Sequence, residues 1–298
     1  MKQLFAILLA AAVPMMAAAQ SAETLTFTRI DRNPRTSALA GAGAASVSNV
    51  AYASFTNAAV VPFYGKTLDV AAGYQYWAPA LGAASGLHLG VSGKVGIWGV
   101  TGGILYQAEQ PDVDGFRPGE LQANLGAGVR FTDWLGLGLN LRYARQALFA
   151  GKSISGYGMD LMLLARPVKG LTLTGGVAGL GTSVKDASGN SYSQPASVKL
   201  AGAYALTFAE QHTVEVMMDA DYYLFGKSVT VSAGLEYNFK EMVYARAGYR
   251  RAAENAPYPT HLGVGLGVQF FGVRLDVSYL TASEVIGNSL AVGLGYRF

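Results

Sequence analysis

From about Thr67 to the C-terminus, the chain returns repeatedly to strict alternation of apolar with polar or small residues. A strand shows this period of two when its faces meet different surroundings. Leu290, Val292, Leu294, Tyr296 and Phe298 share one face of the last segment, and Ala291, Gly293, Gly295 and Arg297 share the other. The same division separates Leu262, Val264, Leu266, Val268 and Phe270 from Gly263, Gly265, Gly267 and Gln269. Segments of this kind predict strands near 67–77, 86–93, 95–107, 120–131, 135–148, 155–166, 171–183, 196–208, 212–224, 228–239, 243–250, 261–270, 273–280 and 288–298, about fourteen in all. An even count returns both ends of a closed antiparallel barrel to one side.

The links between segments test this register. Three residues separate Phe131 from Leu135, Phe208 from His212 and Phe239 from Val243, a spacing that keeps the flanking residues on one face of a hairpin. The link after Phe270 is one residue shorter and predicts a bulge or a looser turn. Longer connections fall at the opposite ends, around 109–119, 185–194, 251–260 and 281–287. Phe131, Phe208, Phe239, Phe270 and Phe298 then point outward beside the short links, and Tyr76, Tyr143, Tyr157, Tyr222, Tyr249 and Tyr279 point outward toward the loops. Two aromatic girdles around an apolar band mark a lipid-facing barrel.

Charge follows the other face. Asp69, Asp160, Lys199, Glu215, Asp219, Asp221, Glu236, Arg246 and Arg274 all fall opposite the apolar set. A cation on the lipid face at mid-bilayer costs about 2–4 kcal/mol, so the charged face is the lumen. Counting through the hairpins sets Glu236 across from Arg246 and Lys199 across from Asp221, predicting two lumenal ion pairs, with Asn124 opposite Arg142. Leu266→Arg is expected to impair insertion and Gly265→Ala to be tolerated.

Composition removes the competing classes. The chain is 51% hydrophobic and only 14% charged, with mean hydropathy +0.26, too apolar for a protein wetted on all sides. Beyond the first twenty residues no apolar run reaches the roughly 18 residues of a spanning helix. Residues 1–19 read as a signal peptide, with Lys2, an apolar stretch from Leu4 to Val13 and the small Ala17–Ala19 site. With no cysteine, disulfides, thiolate metal sites and a cysteine-linked lipid anchor are excluded. The net charge of +3 without a basic run argues against nucleic acid. His88, His212 and His261 show no spacing that marks a catalytic constellation, so the chain reads as a non-enzyme without catalytic, cofactor or metal residues. The partners expected are outer-membrane lipids and the barrel-insertion machinery, whose C-terminal signal the Tyr296–Phe298 end resembles.

Residues 20–66 precede the predicted barrel, 67–298, and do not alternate. Their small residues suit a backbone that packs closely against a wall, which predicts a plug or hatch inside the barrel. Three stretches resemble the PorV/PorQ family of Bacteroidota outer-membrane proteins, which share the fourteen-stranded fold of FadL transporters. Arg35 leads a Gly/Ala run containing Gly41 and Gly43, similar to that family's N-terminal Arg-x-x-Gly-Met-Gly region. Ser54-Phe55-Thr56-Asn57-Ala58-Ala59 sits where the family has an aromatic-Trp-Asn-Pro-Ala box, with Thr56 and Ala58 in place of the Trp and Pro. Phe116, Pro118 and Glu120 resemble its Phe-x-Pro-x-Glu start of a strand. The resemblance implies an accessory or cargo-holding role in type IX secretion at the outer membrane, with secretion-system subunits as partners. Its FadL side implies a different function, an uptake channel for hydrophobic small molecules with a lateral opening beside the plug.

Overall fold

The computed structural model describes residues 23–298 except 32, 79–82, 112–114, 150–151 and 186–188; the signal peptide expected over 1–19 lies outside these. Fourteen antiparallel strands close into a barrel. They are β1 (Leu68–Trp77), β2 (Ala84–Val95), β3 (Trp98–Glu109), β4 (Gly119–Arg130), β5 (Leu135–Phe149), β6 (Lys152–Val168), β7 (Leu171–Gly181), β10 (Ser197–Phe208), β11 (His212–Tyr223), β12 (Ser228–Phe239), β13 (Val243–Ala252), β14 (His261–Phe270), β15 (Val273–Thr281) and β16 (Ser289–Arg297). A separate small hairpin, β8 (Val184–Lys185) with β9 (Ser191–Tyr192), sits in the connection between β7 and β10. Each barrel strand pairs with its sequence neighbours, and β1 with β16 completes the closure. No edge is left unpaired, which a strand surrounded by lipid requires.

The alternation seen in the sequence is the alternation of environment. Leu266, Leu294 and Leu125 are exposed on the outside at 66%, 57% and 71%. Asp69, Asp219, Glu236 and Arg274 face inward and are buried. Phe208 pairs with His212 and Phe239 with Val243 across their three-residue links. After Phe270, however, the register runs without a bulge: Phe270 pairs directly with Val273. The link is a two-residue turn with Phe271 at φ 49° and Gly272 at φ 83°, whose double positive φ matches the right-handed twist of the hairpin. Irregularities lie instead along β6, at Met159/Leu161 and Ala165/Val168.

The interior is not a water-filled pore. Residues 23–66 run through it as 3-10 turns and one short helix, α1 (Pro34–Ala38), whose Asn33 side chain accepts a hydrogen bond from the Arg35 amide. This segment starts at the loop end, where the Thr24 amide donates to the Ser193 carbonyl at 2.9 Å. It finishes at the short-turn end, where Phe63 lies beneath the Arg166 guanidinium and Thr67 donates to the Phe298 carbonyl. Leu39, Ala45, Ala51, Ala59 and Val61 are fully buried in it. The glycines that alternate with outward apolar residues now have a reason. An added Cβ at Gly248 would sit 2.1 Å from the Leu39 carbonyl carbon, and one at Gly265 would sit 2.5 Å from Ala38 Cβ. The expected tolerance of Gly265→Ala is therefore corrected: this position has no room for a methyl group, because α1 lies against it.

Candidate functional site

Two features of the interior and wall carry chemistry. The first is a ladder of charge that binds the plug to the barrel. Glu215 and Glu236 are direct cross-strand partners, an arrangement that repels unless a cation intervenes. Arg35 of α1 supplies it, with Nη2 2.9 Å from Glu215 and Nε 2.8 Å from Glu236. Burial works against the Arg35 charge, and the two carboxylates that accept from its guanidinium offset that cost. From Glu236 the ladder continues through Arg246 (2.5 Å), Asp276 (2.6 Å from Arg246), Arg274 (2.9 Å) and Asp69 (3.5 Å). Asp69 then accepts from the amides of Val50 and Ala51 at 3.0 and 3.1 Å. One continuous network thus grips the plug at α1 and again at residues 50–51.

A second group holds the middle of the plug. Lys199 Nζ lies 2.7 Å from Asp221 and 3.6 Å from Asp219, and Asp219 accepts from the Gly43 amide at 2.8 Å. Gly43 adopts φ 130°, a conformation that side-chain-bearing residues rarely reach. Above this group, near the loops, lies a small, partly open cavity of about 90 Å³ bordered by Arg29, Asp31, Lys199, Asp221 and Arg250.

The second feature is a groove of about 1000 Å³ on the outer wall, crossing β16 and β1 to β6. It follows the hydrogen-bonding direction, so its sides are two cross-strand rows: Val70, Val91, Gly102 and Leu125 in one, Ala72, Leu89, Ile104 and Ala123 in the other. Small residues at Ala72, Gly102 and Ala123 create the depression. Its floor is the inward-facing row Gly295, Ala71, Gly90, Gly103, Asn124 and Arg142. Directly behind that floor lies the plug. A Cβ at Gly90 would stand 2.4 Å from the Ala51 carbonyl oxygen, and one at Gly103 would stand 2.2 Å from the Phe55 ring. Asn124 donates to the Ser54 carbonyl at 2.8 Å and Asn140 to that of Ala53 at 3.1 Å. Here a single layer of backbone separates the outer groove from residues 51–55 of the plug.

The residues singled out from the sequence fall at several places. Arg35, Glu236 and Arg246 meet in the ladder, while Lys199 and Asp221 form the separate group beside Gly43. Gly41 turns at φ 84° against Arg250. Asn57 is fully buried, donating to the Ala44 carbonyl and to Thr174 while accepting from the Ala59 amide; Ala58 and Ala59 press on Gly126, Gly128 and Gly138. Phe116 and Pro118 lie at the loop end with Glu120, whose carboxylate accepts from Gln146 at 3.1 Å. Tyr296 and Phe298 pack edge to face at the other end. Sequence reasoning missed Asp276 as the ladder's middle rung and Asp69 as an acceptor for plug amides. It also missed the groove, which small outward residues at Ala72, Gly102 and Ala123 could have signalled.

A family model described as outer membrane protein beta-barrel domain matches residues 77–270. No curated protein sequence matches the chain. Among solved structures, the toluene transporter TbuX of Ralstonia pickettii aligns at 14% identity over 89% of this chain and 97% of its own, with a TM-score of 0.63. The Pseudomonas putida toluene transporter TodX aligns at 13% identity over 89% and 98%, with a TM-score of 0.60. A Pseudomonas aeruginosa FadL homologue aligns at 10% identity over 90% and 98%, with a TM-score of 0.58. At these identities the likeness is one of fold.

Proposed function

Because the chain belongs to the outer membrane protein beta-barrel domain family, and its plugged cylinder shares its fold with toluene transporters, we propose that it is a passive outer-membrane channel for small apolar molecules. The observation that carries this reading is the thin wall between the groove and plug residues 51–55. A solute that has entered from the loop end would leave sideways into the apolar membrane layer through a shift of that segment and a separation of β2 from β3, which are paired through Gly90 and Gly103 and whose freed backbone groups must find new partners as they part. Lateral exit spares an apolar solute the aqueous side. The conformation described is closed: the cavity under the loops is small and bordered by charge, and the ladder pins the plug at α1 and at residues 50–51, where the route begins.

The secretion-associated role implied by the sequence resemblance requires an apolar patch exposed on the loops or rim. Tyr258 and Ile286, two of the large apolar residues in these connections, are turned inward and only 1% and 2% exposed. Two of the solved structures of like fold named above are toluene transporters, which favours the channel reading.

The test is uptake of labelled toluene by intact Gram-negative cells, since a simple phospholipid vesicle admits toluene unaided. Cells carrying the protein take it up faster than cells without it, and Gly102→Trp, which fills the groove from outside, removes the gain while the barrel still inserts. Equal uptake with and without the protein overturns the proposal.

A further inference from the structure

Under the loops, one side chain occupies a slot shaped for an aromatic ring. Tyr258 belongs to the connection between β13 and β14, yet it turns into the barrel mouth and is 1% exposed. Its ring stacks on Trp77 of β1, with centroids 5.5 Å apart and planes inclined by 25°. The Arg250 guanidinium lies over the ring at 4.6 Å, and His261 meets its edge at 4.9 Å. An aromatic face, a cation and an edge contact around one ring are the arrangement that recognises an electron-rich π system, beyond what apolar burial alone supplies.

The walls of this slot stand without Tyr258. Trp77 and Arg250 are strand residues, and Arg250 is held independently: its Nε donates to the Ser232 hydroxyl at 2.9 Å and to the Ala40 carbonyl of the plug at 3.1 Å. Tyr258 is attached to a connection whose ends are tied through the Ala253 amide to the Val229 carbonyl and the Ala252 amide to Thr260. Ile30 of the plug packs against the same cluster. Ile30 and Arg250 also border the charged cavity beneath, so the slot lies at the head of the way inward.

The geometry points to a binding site for one uncharged, electron-rich aromatic ring, such as phenol or a methylbenzene, which Tyr258 fills in the closed protein and vacates when a ligand ring takes its place. This inference rests on the channel reading and names its ligand class and its gate. Arg250 joins the two events, because the guanidinium that receives the ring also holds the Ala40 carbonyl of the plug.

Phenol is the Tyr258 ring and hydroxyl without the Cβ, the part that Tyr258→Ala removes, and cyclohexanol has about the same size without the π face. Calorimetric titration of each into the detergent-solubilised protein, with protein-free micelles as the reference for partition, reads the slot, and the wild type binds phenol saturably but more weakly than Tyr258→Ala because the ligand must displace the Tyr258 ring. Tyr258→Ala binds phenol saturably and prefers it to cyclohexanol by about tenfold, and adding Trp77→Ala abolishes the saturable heat. Tyr258→Ser is read in the same way should Tyr258→Ala fail to insert. Saturable binding that does not distinguish phenol from cyclohexanol, or that survives loss of Trp77, overturns the inference, as does its absence from an inserted Tyr258 variant. Toluene uptake without phenol selectivity sinks the slot and leaves the channel standing; phenol selectivity without toluene uptake sinks the channel alone.

Discussion

Glu215 and Glu236 face each other across β11 and β12, and the guanidinium of Arg35 lies between them with hydrogen bonds of 2.9 and 2.8 Å. The plug is therefore part of the electrostatics of the wall: withdrawing α1 would leave two buried carboxylates opposed. Removing one partner of such a buried group costs about 3 kcal/mol. Arg35→Gln lowers the urea-unfolding free energy by about that much, read by tryptophan fluorescence in detergent, and Glu215→Gln in the same background restores part of it. No recovery in the double variant would mean that carboxylate repulsion is not the cause.

Gly102 and Gly103 are neighbours on β3 with opposite outlooks. A Cβ at Gly102 meets Leu125 at an ordinary 3.5 Å, whereas one at Gly103 meets the Phe55 ring at 2.2 Å. Gly103→Val destabilises by about 1–3 kcal/mol through overpacking against the plug, while Gly102→Val leaves stability unchanged. Paired thermal unfolding on heated gels checks this, and equal melting of the two variants would refute the thin-wall geometry.

On β14, Leu266 faces lipid at 66% exposure and Gly265 faces Ala38. Leu266→Arg weakens folding into bilayers by about 2–4 kcal/mol, reducing the inserted fraction. Gly265→Ala inserts but melts earlier, because its methyl group displaces α1. The amounts of heat-modifiable barrel in isolated outer membranes separate the two effects; a Leu266→Arg barrel recovered at wild-type yield would contradict the outward assignment.

Asn57 uses both ends of its buried amide, toward Ala44 and Thr174 on one side and Ala59 on the other. Asn57→Ala leaves these groups without their partner at a cost of about 1–3 kcal/mol. Since it loosens the plug next to residues 51–55, it also raises protease sensitivity of the segment before β1. Unchanged cleavage kinetics alongside lowered stability would separate Asn57 from plug retention.

The barrel was legible in the sequence because one rule acts at every strand: a side chain on one face meets acyl chains and on the other meets the interior, so period-two alternation records the wall residue by residue. Hairpin counting extends this to cross-strand partners, which is how Glu236 and Arg246, or Lys199 and Asp221, are found opposite each other. It fails at Phe270, where a turn of two positive-φ residues absorbs the shorter link without a bulge. It also misjudges Gly265, since alternation says that a small residue faces inward but not what lies there.

What the plug touches was decided by the tertiary structure alone. Residues 23–66 have no period, and each grip joins positions remote in the chain: Arg35 to Glu236, Gly43 to Asp219, Ala51 to Gly90. The groove and the Tyr258 slot likewise arise where several strands or a folded-back loop converge. Local patterning reports which environment a side chain faces, because environment repeats along a strand. Which partner fills that environment depends on how distant segments share one enclosed volume, and no stretch of sequence carries that by itself.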